Sequence, residues 1–155
     1  MESDLQSIID DFDASYWFLS NFTFSPFVLH GKSYDTVEHY FQSMKTTDLN
    51  SRESIRKSGH PRFAKKFGRQ VHLREDWEKI KYSVMYMAVK AKFEQNPNLA
   101  ELLKATAPAY LIEGNTWHDN IWGDCRCSKC KGIMGQNLLG KILMRIRDEI
   151  SECKA

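Results

Sequence analysis

The stretch Asp35-Thr36-Val37-Glu38-His39-Tyr40-Phe41-Gln42-Ser43-Met44-Lys45 decides how the rest of this chain is read. Val37, Tyr40, Phe41 and Met44 recur at i, i+3, i+4 and i+7, the spacing of one buried stripe on a helix. Asp35, followed three residues later by Glu38, has the capping-box spacing and marks the start of that helix. Glu38, Gln42 and Lys45 share a second face, which at about 100° per residue borders the apolar stripe instead of opposing it. A carboxylate, an amide and an ammonium along the edge of a core are where the wall of a pocket would lie. The blander reading is a capping Glu38 and a solvated Lys45.

Working outward from this helix, an aromatic stretch at 16–27 leads to a short strand at Phe27–Leu29, a turn at His30-Gly31 and a return through Ser33-Tyr34, which reads as a β-hairpin. Downstream, 51–57 suggests a short helix. Pro61 fits the first turn of another, closed by Gly68. A longer helix opens at Glu75 or Asp76 and runs to about Gln95, burying Trp77, Ile80, Val84, Met87, Ala88 and Ala91, until Asn96-Pro97 stops it. Asn98 with Glu101 repeats the capping spacing for a helix packed by Leu99, Leu102 and Leu103, and 110–112 reads as a strand. After a loop over 113–136, Asn137 caps a last helix whose inner side is Leu138, Leu139, Ile142, Leu143, Ile146 and Ile150. The expectation is a mainly α-helical α+β fold with a few short strands: an acidic lead-in over 1–15, then a single domain over 16–152.

Composition bounds the function classes. At 155 residues with 42% hydrophobic and 27% charged side chains, the chain is long enough to bury a core, and collagen-like, low-complexity and fully disordered classes are excluded. Lys+Arg 22 against Asp+Glu 20 leaves a net charge of +2, which does not by itself announce a nucleic-acid binder. No segment approaches the roughly 18 apolar residues of a membrane helix, and the acidic start lacks the layout of a signal peptide, so no membrane partner and a cytoplasmic location are expected. Three of the four cysteines cluster as Cys125, Cys127 and Cys130. They could supply three zinc thiolates, with Cys153 or His118 as a fourth ligand. A structural zinc site usually shows two separated ligand pairs, so free thiols in a loop, with no metal and no cofactor, is the expectation.

Three features carry possible chemistry. The first is the Glu38, Gln42, Lys45 face. The second is a basic run over 52–74, with Arg52, Arg56, Lys57, Arg62, Lys65, Lys66, Arg69 and Arg74 opposed by Glu53. It suits phosphate, because guanidinium groups bind oxyanions bidentately. The third is the loop over 113–136, uncommonly long for a compact domain. It carries Glu113, Asn115, Trp117, His118, Asp119, Asn120, Trp122 and Asp124. Carboxylates at Glu38 and at Asp119 or Asp124 suit a glycosidic cleavage, where acidic groups flank an oxocarbenium-like transition state. Aromatic residues at Tyr16, Trp17, Phe18, Phe22, Trp117 and Trp122 suit stacking on a planar base. There is no Walker loop, no dinucleotide-binding glycine motif and no nucleophile elbow.

Several stretches together carry a resemblance: F-L-S-N-F at 18–22, E-H-Y-F-Q-x-x-K at 38–45, W-G-D at 122–124 and G-x-N-x-L-G at 135–140. A-K-K-F-G-R at 64–69, A-K-F-x-Q-N at 91–96 and L-L-x-A-T-A-P-A at 102–109 add to it. The chain resembles the NADAR superfamily, named for proposed links to NAD and ADP-ribose, and within it the YbiA-like branch, over about residues 16–150. The resemblance implies a small α+β domain with a polar cleft and an N-glycosidase activity without cofactor. YbiA-like members hydrolyse the ribose C1–N bond of phosphoribosylamino-pyrimidine intermediates of riboflavin biosynthesis. Other members remove ADP-ribose from guanine in DNA.

Carried over by motif, Glu38 and Asp124 are the catalytic residues the resemblance implies, with their two roles unassigned. Trp122 and Gly123 shape the ribose or base site, with Trp117 and Asp119 from the same loop. Lys45 meets phosphate or a ribose hydroxyl, Arg69 meets phosphate, and Ser20, Asn21 and Phe22 lie near the base. Asn137 holds the loop or a ligand hydroxyl. One departure from the family pattern is Cys125, where glycine commonly follows W-G-D. The partner is a phosphorylated N-riboside, or an ADP-ribosyl substrate on DNA; a non-enzymatic sensor of ADP-ribose or a nucleotide is the reading from a different class.

Overall fold

The computed structural model describes residues 6–152. In chain order its elements are β1 (Ile8–Ile9), β2 (Phe27–Leu29), β3 (Lys32–Tyr34), α1 (Val37–Ser43), α2 (Leu49–Arg56), α3 (Pro61–Gly68), α4 (Trp77–Gln95), α5 (Pro97–Ala105), β4 (Tyr110–Leu111), β5 (Gly114–Asn115), β6 (Asp124–Cys125) and α6 (Leu138–Glu152), with 3₁₀ turns at Ala14–Leu19 and Ser128–Cys130. This is the mainly helical α+β fold read from the sequence. It divides into two compact units: Asn21–Pro97, and 6–20 with 98–152. No helix among the described residues is long and apolar enough to cross a membrane.

The unit Asn21–Pro97 is organised around α1, which packs against α2, α3, α4 and β3. Its N-cap is Thr36, one residue later than the capping spacing suggests: Thr36 Oγ1 accepts from His39 N at 3.2 Å. Val37, Tyr40 and Phe41 are buried as the stripe requires, and so are Glu38, His39, Gln42 and Ser43 on the other faces. Thr36 Oγ1 also meets His39 Nδ1 at 2.8 Å, and burial holds His39 below its ordinary value, opposed by the Gly59 carbonyl. His39 is therefore a core histidine. The hairpin forms as read, with register Phe27↔Tyr34, Val28↔Ser33 and Leu29↔Lys32. Its turn residues, His30 at φ 52° and Gly31 at φ 75°, both occupy the left-handed region that two-residue hairpin turns need. The Gln95 amide pairs with the open edge of β2, accepting from Val28 N at 2.7 Å and donating to Val28 O at 2.9 Å.

On α4 the buried face is wider than the stripe suggests. Met87 is exposed, and Met85, Val89, Lys92 and Phe93 join Trp77, Val84, Ala88 and Ala91 inside. Burial pushes the Lys92 ammonium down to about 7. The unfolded chain, with its lysines near 10.4, binds this proton more tightly, so stability should rise with pH from about 7 toward 10. Lys92→Met is expected to remove that rise, read as a flattened plot of unfolding free energy against pH; an unchanged slope would show that Lys92 does not cause it.

In the other unit, β1 pairs in parallel with β4, Ile8↔Tyr110 and Ile9↔Leu111, so the segment read as a lead-in contributes a strand. α5 begins at Pro97 itself, which leaves Asn98 inside the helix and not at its cap. Leu99 and Leu103 are buried while Leu102 is exposed. α6 packs on β4 through Leu139, Ile142, Leu143 and Ile146. Buried Arg147 donates from Nη1 to Thr106 Oγ1 at 3.0 Å and to Ala109 O at 2.8 Å, tying α6 to the turn before β4.

Candidate active site

Within Asn21–Pro97 the predicted residues Asn21, Phe22, Glu38, Lys45 and Arg69 gather about α1. The Asn21 carbonyl accepts from Glu38 N at 3.2 Å, which joins the S-N-F and E-H-Y-F-Q motifs directly. Asn21 Nδ2 faces Met85 Sδ at 3.6 Å, and the half-exposed Phe22 ring meets the His60 ring edge-on at 6.3 Å. Glu38 is 7% exposed; its Oε1 accepts from Gln42 Nε2 at 2.7 Å, a charge-assisted bond across one helical turn. Gln42 reaches that position because α3 presents Gly68 to it: a Cβ there would overlap the Gln42 amide oxygen and lie 2.8 Å from its Cδ.

Lys45 is half-buried, with Nζ 5.5 Å from the centre of the Phe41 ring. Burial holds its ammonium below the ordinary lysine value; the Glu38 carboxylate opposes that, and Arg69 and Lys65 reinforce it. Three cations and a buried carboxylate thus share one neighbourhood. Among them is Lys65, one of the basic run in the sequence, one turn before Arg69. The rest of the basic run is largely engaged. Arg52 Nε donates to Thr46 O at 2.7 Å, Arg56 pairs with Glu53 at 2.6 Å, and Arg74 pairs with Asp76 at 2.6 Å. Lys65 on α3 and Arg69 just beyond its end are the cations that act on Lys45.

The unit of 6–20 and 98–152 holds the other predicted residues. The Ser20 N–H closes the first 3₁₀ turn onto Trp17 O at 3.2 Å. Asp119 organises its loop: Oδ1 accepts from Ile121 N at 3.1 Å and Trp122 N at 2.9 Å, and its backbone is clasped by the Asn115 amide at 2.8 and 3.1 Å. Trp122 is half-buried, whereas Trp117 is exposed. Gly123 is buried against the Glu113 carbonyl, which leaves no room for a Cβ. Asp124 opens β6, and its Oδ1 accepts from Gly135 N at 2.9 Å.

Asn137 precedes α6, its carbonyl accepting from Lys141 N at 3.0 Å, but its side chain turns away from the helix. In a left-handed conformation at φ 52°, it accepts from Glu113 N at 3.0 Å and donates to Leu111 O at 2.8 Å, fastening the loop to β4. The first amides of α6 are met instead by loop carbonyls: Leu138 N by Ile121 O at 3.1 Å and Leu139 N by Trp122 O at 3.0 Å. That helix start therefore offers few donors to a phosphate.

Cys125, Cys127 and Cys130 do not dangle in the loop. Together with His118 they bring one ligand atom each to within 4.8 Å of one another. Cys153, the alternative fourth ligand, lies outside the described residues.

An acid-bearing α1 edged by cations, and a W-G-D strand clamped onto a C-terminal helix, define the class. The chain belongs to the NADAR domain family, whose model matches residues 9–151. Within that family it stands in the YbiA-like branch: it is 43% identical over 138 residues to the N-glycosidase YbiA of Escherichia coli (strain K12), covering 88% of this chain and 82% of that one. The NMR structure of E. coli YbiA matches with a TM-score of 0.79 at 38% identity, covering 96% of this chain and 90% of that one. The chloroplastic riboflavin biosynthesis protein PYRR of Zea mays is 35% identical over 130 residues, covering 76% of this chain but 20% of the plant protein.

Proposed function

We propose that this protein is an N-glycosidase that hydrolyses the ribose C1–N bond of phosphoribosylamino-pyrimidine intermediates of riboflavin biosynthesis. The observation that carries the reading is the juxtaposition of Glu38 on α1, held by Gln42, with Lys45 just past that helix and its cationic neighbours Lys65 and Arg69. A ribose 5-phosphate needs both: cations for the phosphate and a carboxylate for the charge that develops at C1. As the C–N bond loosens, water attacks C1. Glu38 stabilises the cation or takes the water's proton; the C1–O bond forms as the C1–N bond breaks, and the leaving nitrogen gains one proton for the one that water gives up. Asp124 is the second catalytic candidate.

The test sets two substrates side by side: the phosphoribosylamino-pyrimidine, and an oligonucleotide bearing ADP-ribosylated guanine. Release of base and ribose 5-phosphate from the first alone supports the reading. Release of ADP-ribose from the second overturns it in favour of a DNA-directed glycohydrolase, whose binding would weaken steeply with salt. The engagement of Arg52, Arg56 and Arg74 within the protein favours the small phosphosugar. Binding of either ligand without turnover would identify a sensor.

Lys45 supplies a pH test. Protonated, it attracts phosphate; because burial lowers its affinity for the proton, that attraction should be lost on the alkaline side at a lower pH than for an ordinary lysine. KM is expected to rise with pH there while kcat changes little. Lys45→Met should raise KM by about 10- to 100-fold at neutral pH, the loss of one charged hydrogen bond, and flatten the alkaline rise. An unchanged KM would remove Lys45 from the phosphate site.

A further inference from the structure

We propose that His118, Cys125, Cys127 and Cys130 form a structural zinc site that clips the loop bearing W-G-D. The distances from His118 Nδ1 are 3.2 Å to Cys127 Sγ, 3.4 Å to Cys130 Sγ and 3.9 Å to Cys125 Sγ. A tetrahedral zinc ion with Zn–S of about 2.3 Å and Zn–N of about 2.0–2.1 Å sets N···S edges of about 3.6 Å, in the middle of that set. One imidazole and three thiolates are the donor set that selects zinc over the hard, oxygen-seeking cations. Four protein ligands leave no open position, so the site is structural and not hydrolytic.

Local structure supports the convergence. The 3₁₀ turn Ser128–Cys130 folds Cys130 back over Cys127, its N–H donating to Cys127 O at 3.1 Å. β6 carries Cys125, which is buried, as is Cys130. His118 stands in the left-handed region at φ 69°, a conformation unfavourable for a non-glycine residue, and its ring meets the three sulfurs. Asn120 steadies two ligands at once, accepting from Cys125 N at 2.9 Å through Oδ1 and pointing Nδ2 at Cys130 Sγ from 3.5 Å. Such outer contacts orient metal ligands and temper thiolate charge. On binding, the three thiols lose their protons to solvent and the imidazole coordinates as the neutral ring. Asp124 directly precedes Cys125, so the clip would hold the strand that presents it.

The test uses the full chain without a polyhistidine tag, purified under reducing conditions with neither metal nor chelator added. Elemental analysis is expected to find one zinc per chain, and Cys130→Ser to lose most of it. To separate lost binding from lost folding, the metal-stripped wild-type chain is titrated with Co²⁺. Strong visible bands of tetrahedral cobalt, with thiolate-to-cobalt charge transfer, are expected at one equivalent. His118→Ala should keep the charge transfer and shift the tetrahedral bands. Zinc far below one per chain, together with only the weak spectrum of hydrated cobalt, would overturn the proposal.

Discussion

Glu38→Gln is expected to lower kcat about 10²- to 10⁴-fold, the range in which a positioned acid–base group contributes. The substitution isolates charge from shape. The Gln42 amide donates to Glu38 Oε1 at 2.7 Å, and a glutamine in place of Glu38 presents a carbonyl oxygen that accepts the same bond. Helix α1 should therefore keep its packing, and thermal unfolding should move little. Substrate affinity should also survive, because the cations proposed to meet phosphate, Lys45, Lys65 and Arg69, are untouched. Single-turnover measurements with bound substrate would show slowed base release without lost binding. A variant that turns over at the parent rate would remove Glu38 from the chemistry. The companion Asp124→Asn keeps an acceptor for Gly135 N. A loss of kcat in Asp124→Asn would bring Asp124 into the chemistry as well, and the parent rate would remove it.

Much of this was legible in the residues, and the limits have physical causes. The helices declare themselves because each runs about two turns or more, enough for a 3.6-residue period to repeat. The hairpin is legible because His30-Gly31 sits between two strand-like runs, with glycine where positive φ is needed. The pairs β1–β4 and β5–β6 were not legible: two-residue strands have no period, and their partners are fixed only once distant segments pack. The burial of α1 on every face was also hidden. Its own pattern shows one apolar stripe, and only the arrival of α2, α3 and α4 encloses Glu38 and Gln42.

The candidate site shows the same division. The Glu38–Gln42 bond follows from an i, i+4 spacing and can be read in advance. Asn137 carries two readings: an asparagine just before a helix reads as a cap, whereas the G-x-N-x-L-G motif implies that it holds the loop, and position alone does not choose between them. Here its side chain turns back to Glu113 and Leu111. The fourth ligand at the cysteine cluster was ambiguous for a related reason. His118 lies in a run with no periodicity, and what brings it to the sulfurs is a single left-handed residue.

Gly68 is the sharpest case, because helix propensity and packing predict opposite outcomes for one methyl group. Gly68 is the last residue of α3 and not a left-handed closing glycine, so by propensity alone Gly68→Ala should stabilise α3 by at most about 0.5–1 kcal/mol. In the fold, that methyl group would overlap the Gln42 amide oxygen, which is buried and cannot withdraw without breaking its bond to Glu38. Overpacking of this kind costs about 1–3 kcal/mol, so the net change should be destabilising. The larger effect should fall on turnover. A displacement of about 1 Å in a group that positions a catalytic residue can cost on the order of 10²-fold in rate. The double variant Gln42→Ala/Gly68→Ala separates the two effects. Removing the amide should relieve the overlap, so the pair should be more stable than the two single changes sum to, by a coupling of about 0.5–3 kcal/mol. Its kcat should stay as low as that of Gln42→Ala alone, because Glu38 would still lack its partner. If Gly68→Ala proves more stable than the parent and fully active, α3 can yield without disturbing Gln42, and the Glu38–Gln42 bond does not depend on glycine at this position.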